Sequence, residues 1–214
     1  CFFPSRKMLT NIYVDGFNLY YGALKGTPYR WLDPNKLCSL LLPRHTINRI
    51  KYFTARVRAR RDDPGLPARQ EIYFRALRTL PNVEIIFGHF LSNIVSMPLA
   101  GCEPGKQKYA NVIKTEEKGS DVNLATHLLY DGFKGNYQSA VLITNDSDLL
   151  EPIRIIKSEM NTNVGILNPH TAPSRALIKH ASFVKQIRRG VLSASQFPSQ
   201  LCDDKGVFHK PPTW

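Results

Sequence analysis

Residues 9–18 read LTNIYVDGFN, and the architecture of the chain can be worked out from this stretch. The run from Leu9 to Val14 is apolar and rich in residues that favour β-strands, and it ends abruptly at Asp15-Gly16. Residues 17–24 then offer aromatic and aliphatic side chains that are compatible with a helix. This order of strand, turn and helix is how an α/β fold begins.

The same alternation continues along the chain. Apolar spacing predicts helices over residues 34–42, 68–80, 120–133, 148–160 and 174–180, and strands over residues 47–57, 83–91, 139–144, 163–167 and 183–187. Between Ser92 and Lys114 the pattern fails, because prolines, glycines and lysines are typical of a long surface loop. Strands that alternate with helices predict an α/β fold with a mostly parallel central sheet and right-handed crossovers.

The length of 214 residues and a hydrophobic content of 43% fit one compact domain. We expect a flexible leader over residues 1–7, a folded domain over residues 8–190, and a partly ordered tail over residues 191–214. The tail carries four apolar anchors that should hold it against the domain: Phe197, Leu201, Phe208 and Trp214. The same apolar residues make a homodimer conceivable.

The composition restricts the class of protein. Lysine and arginine number 29 and aspartate and glutamate 17, a net charge of +12, which makes a polyanion the first partner to consider. The four cysteines are too far apart for a disulfide framework or a structural zinc site, and they suit a reducing cytoplasm. No apolar run approaches the roughly 20 residues that span a bilayer. We therefore expect a cytoplasmic protein with no membrane partner.

Acidic residues follow the predicted strands at the positions where ligands bind in parallel α/β sheets, beyond the carboxyl ends of the strands and near a switch in strand order. Asp15 ends the first strand, and Asp146 and Asp148 follow the strand over residues 139–144. Asp121 falls in the first turn of a helix for which Ser120 is a plausible N-cap. With Val122 and Ala125 turned towards the core, Asp121 can point to the same rim.

Converging carboxylates repel one another unless hard cations neutralise them, and Mg²⁺ or Mn²⁺ prefers oxygen ligands. Such a site can activate water and stabilise charge on phosphate oxygens, which fits phosphodiester hydrolysis. Each acid also has a simpler explanation, since Asp146, Ser147 or Asp148 can cap the following helix and Asp121 can favour its helix dipole. Asp15, between a buried strand and a glycine, has less reason to be a cap.

At these residues the sequence resembles the NYN domain family, a branch of the PIN-like nucleases that includes LabA-like bacterial proteins. The match extends from about Asn11 to Ile187 and rests on YVDGFN at residues 13–18, EEKGSDV at 116–122 and TNDSDL at 144–149. The resemblance implies a three-layer PIN-like (Rossmann-like) fold and endonucleolytic cleavage of RNA with one or two Mg²⁺ or Mn²⁺ ions. By position it implies an acidic set of Asp15, Asp121, Asp146 and Asp148.

The resemblance also implies supporting roles. Asn18 would hold a carboxylate, a water or a phosphate, while Glu117 is a weaker candidate metal ligand and Glu116 weaker still. Candidate contacts to the RNA, whether single-stranded or structured, are basic or polar residues near the motifs: Lys114, Lys118, Ser147 and Arg56, with Arg58, Arg60 and Arg61 close to Arg56. Charge runs are usually solvated, and Tyr20 and Tyr21 are more often core residues than base-stacking ones.

Two rival functions stay open from the sequence. One is another metal-dependent, phosphate-handling α/β enzyme of the Toprim type, although such domains normally open with Glu instead of Asp-Gly-Phe-Asn. The other is an RNA-binding or regulatory module that keeps the fold and the metal without cleaving. The third acidic segment at Asp121 favours the nuclease over the Toprim type.

Overall fold

A computed structural model describes residues 7–101 and 108–214 of the chain. Six parallel strands form the central sheet: β1 (Met8–Asp15), β2 (His45–Thr54), β3 (Val83–Phe87), β6 (Ser139–Ile143), β7 (Asn163–Asn168) and β8 (Phe183–Gln186). Their order is β3-β2-β1-β6-β7-β8. The strand order reverses between β1 and β6. The switch point therefore lies at the carboxyl ends of these two strands, beside Asp15 and the residues that follow Ile143.

Helices cover both faces of the sheet. They are α1 (Gly16–Leu19), which continues into a π-helical turn (Tyr20–Leu24), α2 (Pro34–Leu41), α3 (Leu66–Arg78), α4 (Ser120–Phe133), α5 (Leu150–Met160), α6 (Arg175–His180) and α7 (Arg189–Ala194). A 3₁₀ turn (Ser147–Leu149) precedes α5. The expected three-layer α/β fold with a parallel sheet is confirmed.

Two hydrophobic clusters result because side chains alternate across each strand. Ile12 and Val14 of β1 face α1, α2 and α3, whereas Tyr13 faces α4 and α5. All three are fully buried. The near-continuous apolar strands of the sequence are therefore those of a sheet covered on both sides.

A buried polar contact fixes α4 against the sheet. Lys51 of β2 lies 2.7 Å from the Asp131 carboxylate near the end of α4, and the Tyr13 hydroxyl donates to the same carboxylate at 2.7 Å. Burial opposes the charge on Asp131, but Lys51 and Tyr13 stabilise it, so the pKa of Asp131 is lowered. The other end of this helix carries Asp121, so the contact helps to place that acid.

The segment after β3 differs from the prediction. The predicted buried strand over residues 83–91 ends at Phe87 and lies at the sheet edge, where it is only partly buried. The predicted loop from Ser92 to Lys114 is wrong: β4 (His89–Pro98) and β5 (Tyr109–Lys118) pair as an antiparallel hairpin. The prolines and glycines that suggested a loop lie at the hairpin tip or, for residues 102–107, outside the described residues.

A glycine makes the turn into this hairpin possible. A Cβ at Gly88 would lie 2.6 Å from the backbone oxygen of Lys118, closer than real Cβ contacts. The side chain of a larger residue would push β4 away from the end of β5. Strand β3 ends at Phe87, and the next residue, Gly88, passes close to Gly119 at the end of β5.

Two expectations for α4 also change. Its N-cap is Gly119, with φ of 98°, and Ser120 is the first helical residue instead of the cap. Val122 is 69% exposed, and the buried side of the helix is formed by Leu124 and Leu128, with Ala125 partly buried. The helix is rotated relative to the expectation because Leu124 and Leu128, spaced four apart, bury more apolar surface than Val122.

The C-terminal segment folds back on the domain. After α7, strands β9 (Gln200–Asp203) and β10 (Gly206–His209) form a short hairpin. Phe197 and Phe208 are buried in the α1–α3 side of the core, and the Trp214 ring centroid lies 5.5 Å from that of Tyr73. These apolar side chains are covered by the same chain. The predicted leader, residues 1–7, lies outside the described residues except for the exposed Lys7.

Among the helices of residues 7–101 and 108–214, none has the length and apolar character needed to cross a membrane.

Candidate metal centre

Asp15 is held at the end of β1 by two hydrogen bonds. Its Oδ1 accepts the backbone N–H of Asn18 at 2.9 Å, so Asp15 caps α1, contrary to the expectation that it has little reason to be a cap. Its Oδ2 accepts the Thr144 hydroxyl at 3.1 Å. Asp15 is only 5% exposed. Burial raises its pKa to about 7, the nearby Asp121 and Asp146 carboxylates add to the rise, and the two hydrogen bonds oppose it.

Asp146 lies in the loop after β6, separated from the strand by Thr144 and Asn145. Its backbone N–H donates to Thr144 Oγ1 at 3.1 Å, and its Oδ1 accepts the N–H of Asp148 at 3.0 Å, so it caps the 3₁₀ turn. Thr144 therefore contacts both Asp15 and Asp146. The single hydroxyl group fixes the two acids relative to each other across the switch point.

Asp121 approaches from the first turn of α4. Partial burial and the charges of Asp146, Glu117 and Asp148 raise its pKa. One carboxylate oxygen each of Asp15, Asp121 and Asp146 lies within 4.8 Å of the other two. We call these three residues the acidic triad. Oxygen ligands this close can hold a divalent cation, which would relieve their mutual repulsion.

The other predicted acids do not join this group. Asp148 is exposed on the 3₁₀ turn and acts on Asp121 only through its charge. Glu117 lines a cavity together with the acidic triad, but its oxygens accept the backbone N–H of Ser120 at 3.1 Å and the Ser120 hydroxyl at 2.6 Å. Glu117 thus caps α4 in this arrangement. Glu116 lies between two lysines, 2.7 Å from Lys114 and 3.2 Å from Lys118.

Asn18 connects the two strand ends. Its side-chain oxygen accepts the backbone N–H of Asn145 at 2.9 Å, and Asn145 in turn accepts the N–H of Ser174 at 2.6 Å. Ser147 is exposed next to the triad residue Asp146. The amide of Asn18 is thus used in positioning the loop that carries Asp146.

The basic residues that were predicted to contact RNA do not all lie near the acidic triad. Lys114 and Lys118 lie on β5, at the hairpin that forms one wall of the site, and both pair with Glu116. Arg56 lies elsewhere: its guanidinium stacks 4.1 Å from the Phe87 ring centroid and pairs with Glu71. Arg58 and Arg61 are exposed, whereas Arg60 lines a second cavity described below.

The acidic triad opens into a cavity of about 340 Å³, which we call the acidic cavity. Sequence reasoning missed two of its residues, Phe90 of the hairpin and His170 after β7. Within the described residues, Nε2 of His170 is buried and has no hydrogen-bond partner. The rule that ligands bind beyond strand ends would have found His170, because it follows β7. Phe90 depended on the hairpin that the sequence did not reveal.

A second cavity, of about 110 Å³, adjoins the first, and we call it the aromatic cavity. Phe17 and Tyr21 line both cavities, and the aromatic cavity is otherwise enclosed by rings that include Tyr20, Tyr73 and Trp214. The expectation that Tyr21 is a core residue is wrong, since it is 53% exposed. Tyr20 packs partly buried against the core. The reason is the π-helical turn, which rotates Tyr21 away from the regular helical face.

Comparisons with known proteins identify a family model, a curated relative and a solved structure that this chain resembles. The model of the NYN domain matches residues 9–187. A curated relative, the 6-hydroxy-3-succinoylpyridine 3-monooxygenase HspA of Pseudomonas putida, is 33% identical over an alignment that covers 98% of this chain and 76% of the relative. A crystal structure of a Vibrio parahaemolyticus protein of unknown function has a TM-score of 0.56 at 17% identity, covering 88% of this chain and 98% of that one.

Proposed function

Because the chain belongs to the NYN domain family, we propose that it is a metal-dependent endoribonuclease whose active site is the acidic triad. The observation that supports this most directly is the approach of Asp15, Asp121 and Asp146 to within 4.8 Å of one another at the switch point of a parallel sheet. Hydrolysis of phosphodiester bonds is the chemistry that such a site performs best.

The donor set of the triad fits a hard divalent cation. All three ligands are carboxylate oxygens, which suit Mg²⁺ or Mn²⁺ better than softer metals. Burial, and to a smaller extent the neighbouring carboxylates, raise the pKa of Asp15 and of Asp121, so a cation that neutralises their charge would favour their ionised forms. A bound cation would supply charge neutralisation and activation of water as a nucleophile.

The protein's own residues would position the reacting groups. Thr144 holds Asp15 and Asp146 in a fixed relation, and Asn18 fixes the loop after β6 through the N–H of Asn145. Such pre-positioning lowers the reorganisation needed in the transition state. His170, whose Nε2 is buried without a partner among the described residues, is a candidate donor to a phosphate oxygen or to the leaving group.

The substrate class follows from charge and shape. A net charge of +12 attracts a polyanion, and the hairpin that contributes Phe90 and Glu117 to the acidic cavity carries the exposed Lys114 and Lys118 on the other face of β5. Phe17, Tyr21 and Phe90 line that cavity, and aromatic rings stack on the unpaired bases of single-stranded RNA. We therefore propose single-stranded RNA as the preferred substrate, with binding that weakens steeply as salt rises.

A cleavage assay tests the proposal. Purified protein is incubated with single-stranded, hairpin and duplex RNA, and with DNA of the same sequence, in Mg²⁺, Mn²⁺ or EDTA. We expect cleavage of single-stranded RNA that requires metal and falls by roughly 100-fold or more in Asp146→Asn. Asp62→Asn, an exposed acid outside the triad, is the matched control.

The opposite result has a clear meaning. If RNA binds but stays intact in every metal, and Asp146→Asn binds RNA as the wild type does, the proposal of an enzyme should be replaced by that of a non-cleaving RNA-binding module. Equal cleavage of the DNA strand would retain the nuclease and reject the preference for RNA.

A second candidate function comes from the Pseudomonas putida relative, whose name describes a monooxygenase that acts on a substituted pyridine. One observation favours it here: the aromatic cavity shares Phe17 and Tyr21 with the acidic cavity, so a small ring could lie beside the triad. Oxygenation would need O₂ and a two-electron reductant, with one oxygen atom entering the ring and the other leaving as water.

Oxygen uptake separates this candidate from the nuclease. Protein supplied with a hydroxypyridine keto acid, NADH and either Fe²⁺ or Mn²⁺ should consume O₂ in step with the loss of the ring compound. Uptake that is no faster than in protein-free controls would remove this candidate and leave the nuclease.

A further inference from the structure

The aromatic cavity lies apart from the acidic triad and has its own chemical character. It is bounded by the turn after α1, by β2, by α3 and by Trp214. Its walls include the rings of Tyr20, Tyr21, Tyr73 and Trp214. Its volume of about 110 Å³ is of the same order as that of the apolar cavity of roughly 150 Å³ that binds benzene, so it has room for one six-membered ring at most.

The charge of the lining is one-sided. Lys25, Arg30 and Arg60 line the cavity, and no carboxylate is found among the described residues that do so. The Lys25 ammonium lies 5.0 Å from the ring centroid of Tyr21. Asp63, whose carboxylate pairs with Arg69, acts on Arg30 and Arg60 only through its charge. An anionic group on the ring would give these two cations a direct partner.

Arg30 is fixed at the edge of this cavity. Its guanidinium donates to the backbone oxygen of Thr213 at 2.8 Å, and its own backbone oxygen accepts the indole N–H of Trp214 at 2.9 Å. Its Nε is buried and has no hydrogen-bond partner within the described residues. Buried donors are normally satisfied, so this unused N–H is a place for an acceptor of a ligand.

We propose that the aromatic cavity binds a single-ring aromatic anion, with the ring among Tyr20, Tyr21 and Trp214 and the anionic group at Arg30 and Arg60. Because Phe17 and Tyr21 also line the acidic cavity, the ligand would lie next to that cavity, with these two rings between it and the triad. Two sources share this chemistry: a pyrimidine nucleotide of an RNA strand and a free aromatic acid. The site is independent of whether the triad cleaves RNA.

Tryptophan fluorescence of the full chain, measured in EDTA and without RNA, tests this site. The probes are uridine monophosphate and pyridine-3-carboxylate, each with its uncharged counterpart, uridine and pyridine-3-carboxamide. We expect saturable quenching of Trp214, and we expect at least one anion to bind about tenfold or more tightly than its uncharged counterpart. The anion that binds more tightly identifies the source.

Variants assign the binding to the cavity. Arg30→Gln and Arg60→Gln should each weaken the binding of the anion by about tenfold. Trp214→Phe should remove most of the fluorescence signal, while a competition assay still detects binding. Arg60 is exposed, so its variant should fold even if Arg30→Gln does not. Arg154→Gln, on α5, is the matched control and should bind as the wild type.

Two results would overturn the site. The first is the absence of saturable binding by either anion; the second is wild-type binding by both Arg30→Gln and Arg60→Gln. Since metal and RNA are left out, such a result leaves the nuclease proposal standing. Loss of RNA cleavage in Asp146→Asn together with normal binding of the anion would show that the two sites act separately.

Discussion

The side-chain oxygen of Asn18 accepts the backbone N–H of Asn145 at 2.9 Å and so joins the first turn after β1 to the loop after β6. The two residues are 127 positions apart in the chain and adjacent in space. Each directly neighbours a triad segment, since the Asn18 N–H also donates to Asp15 and Asn145 precedes Asp146. The hydrogen bond therefore helps to fix the distance between Asp15, at the end of β1, and Asp146, in the loop after β6.

Asn18→Ala should weaken metal binding by about 10- to 100-fold, the usual effect of removing a group that positions a metal ligand. The reason is that the Asn145 N–H loses its partner and the loop carrying Asp146 becomes free to move. Calorimetric titration with Mn²⁺ measures the change. Asn163→Ala, with an exposed side chain at the start of β7, is the control; equal affinities in the two variants would contradict the positioning role.

Asp121→Asn should make the metal-free protein more stable by about 1 kcal/mol, or roughly 2–4 °C in Tm. Partial burial and then the negative charges of Asp146, Glu117 and Asp148 raise the pKa of Asp121, so removing its charge relieves both the desolvation and the repulsion. The same variant should lose most of the Tm increase that Mg²⁺ or Mn²⁺ gives the wild type. Thermal unfolding with EDTA and with metal tests both statements, and a lower Tm in EDTA would contradict the repulsion.

The C-terminal hairpin should be sensitive to acid. Two guanidinium nitrogens of Arg75 donate to the Asp203 carboxylate, each at 2.6 Å, and this contact lowers the pKa of Asp203 to about 2. A lowered folded-state pKa means that the stabilisation is complete above the ordinary pKa near 4 and is lost as the pH falls towards 2.

Asp203→Asn should therefore be less stable than the wild type at neutral pH, and the difference should shrink between pH 4 and pH 2. Urea unfolding of both proteins across this range measures it. A difference that stays constant down to pH 2 would show that the carboxylate charge is not the stabilising feature.

Replacing Gly16 with a larger residue should destabilise the fold. A Cβ at this position would lie 2.7 Å from the backbone oxygen of Phe53, so β1 and β2 would have to move apart. We expect Gly16→Ala to cost roughly 1–3 kcal/mol of unfolding free energy. Gly190→Ala in α7 meets nothing within 4 Å and should be neutral or stabilising by up to about 1 kcal/mol. Chemical denaturation of this pair separates steric crowding from a general effect of replacing glycine.

Much of the sheet could be predicted from local patterns. The strands of the parallel sheet are short apolar runs bounded by turns, and the helices between them keep a helical period, so element type is encoded within each segment. The predicted start of β1 and the helix from residue 120 to 133 agree closely with the structure. The predicted strand at residue 83 is present, but its end at residue 91 and the loop over 92–114 are wrong, because the hairpin is stabilised by pairing between two segments whose separate patterns are weak.

The sequence by itself determined that acids follow β1 and β6, because parallel strands place their carboxyl ends at one edge of the sheet. Only the tertiary structure decided that Asp15, Asp121 and Asp146 come within 4.8 Å of one another while Asp148 stays outside, and that Glu117 caps α4. It also decided that Phe17 and Tyr21 separate the acidic cavity from an aromatic one. The position of an acid at the end of a strand is encoded locally in the sequence. Side-chain distances depend instead on helix rotation and on contacts between segments more than one hundred residues apart.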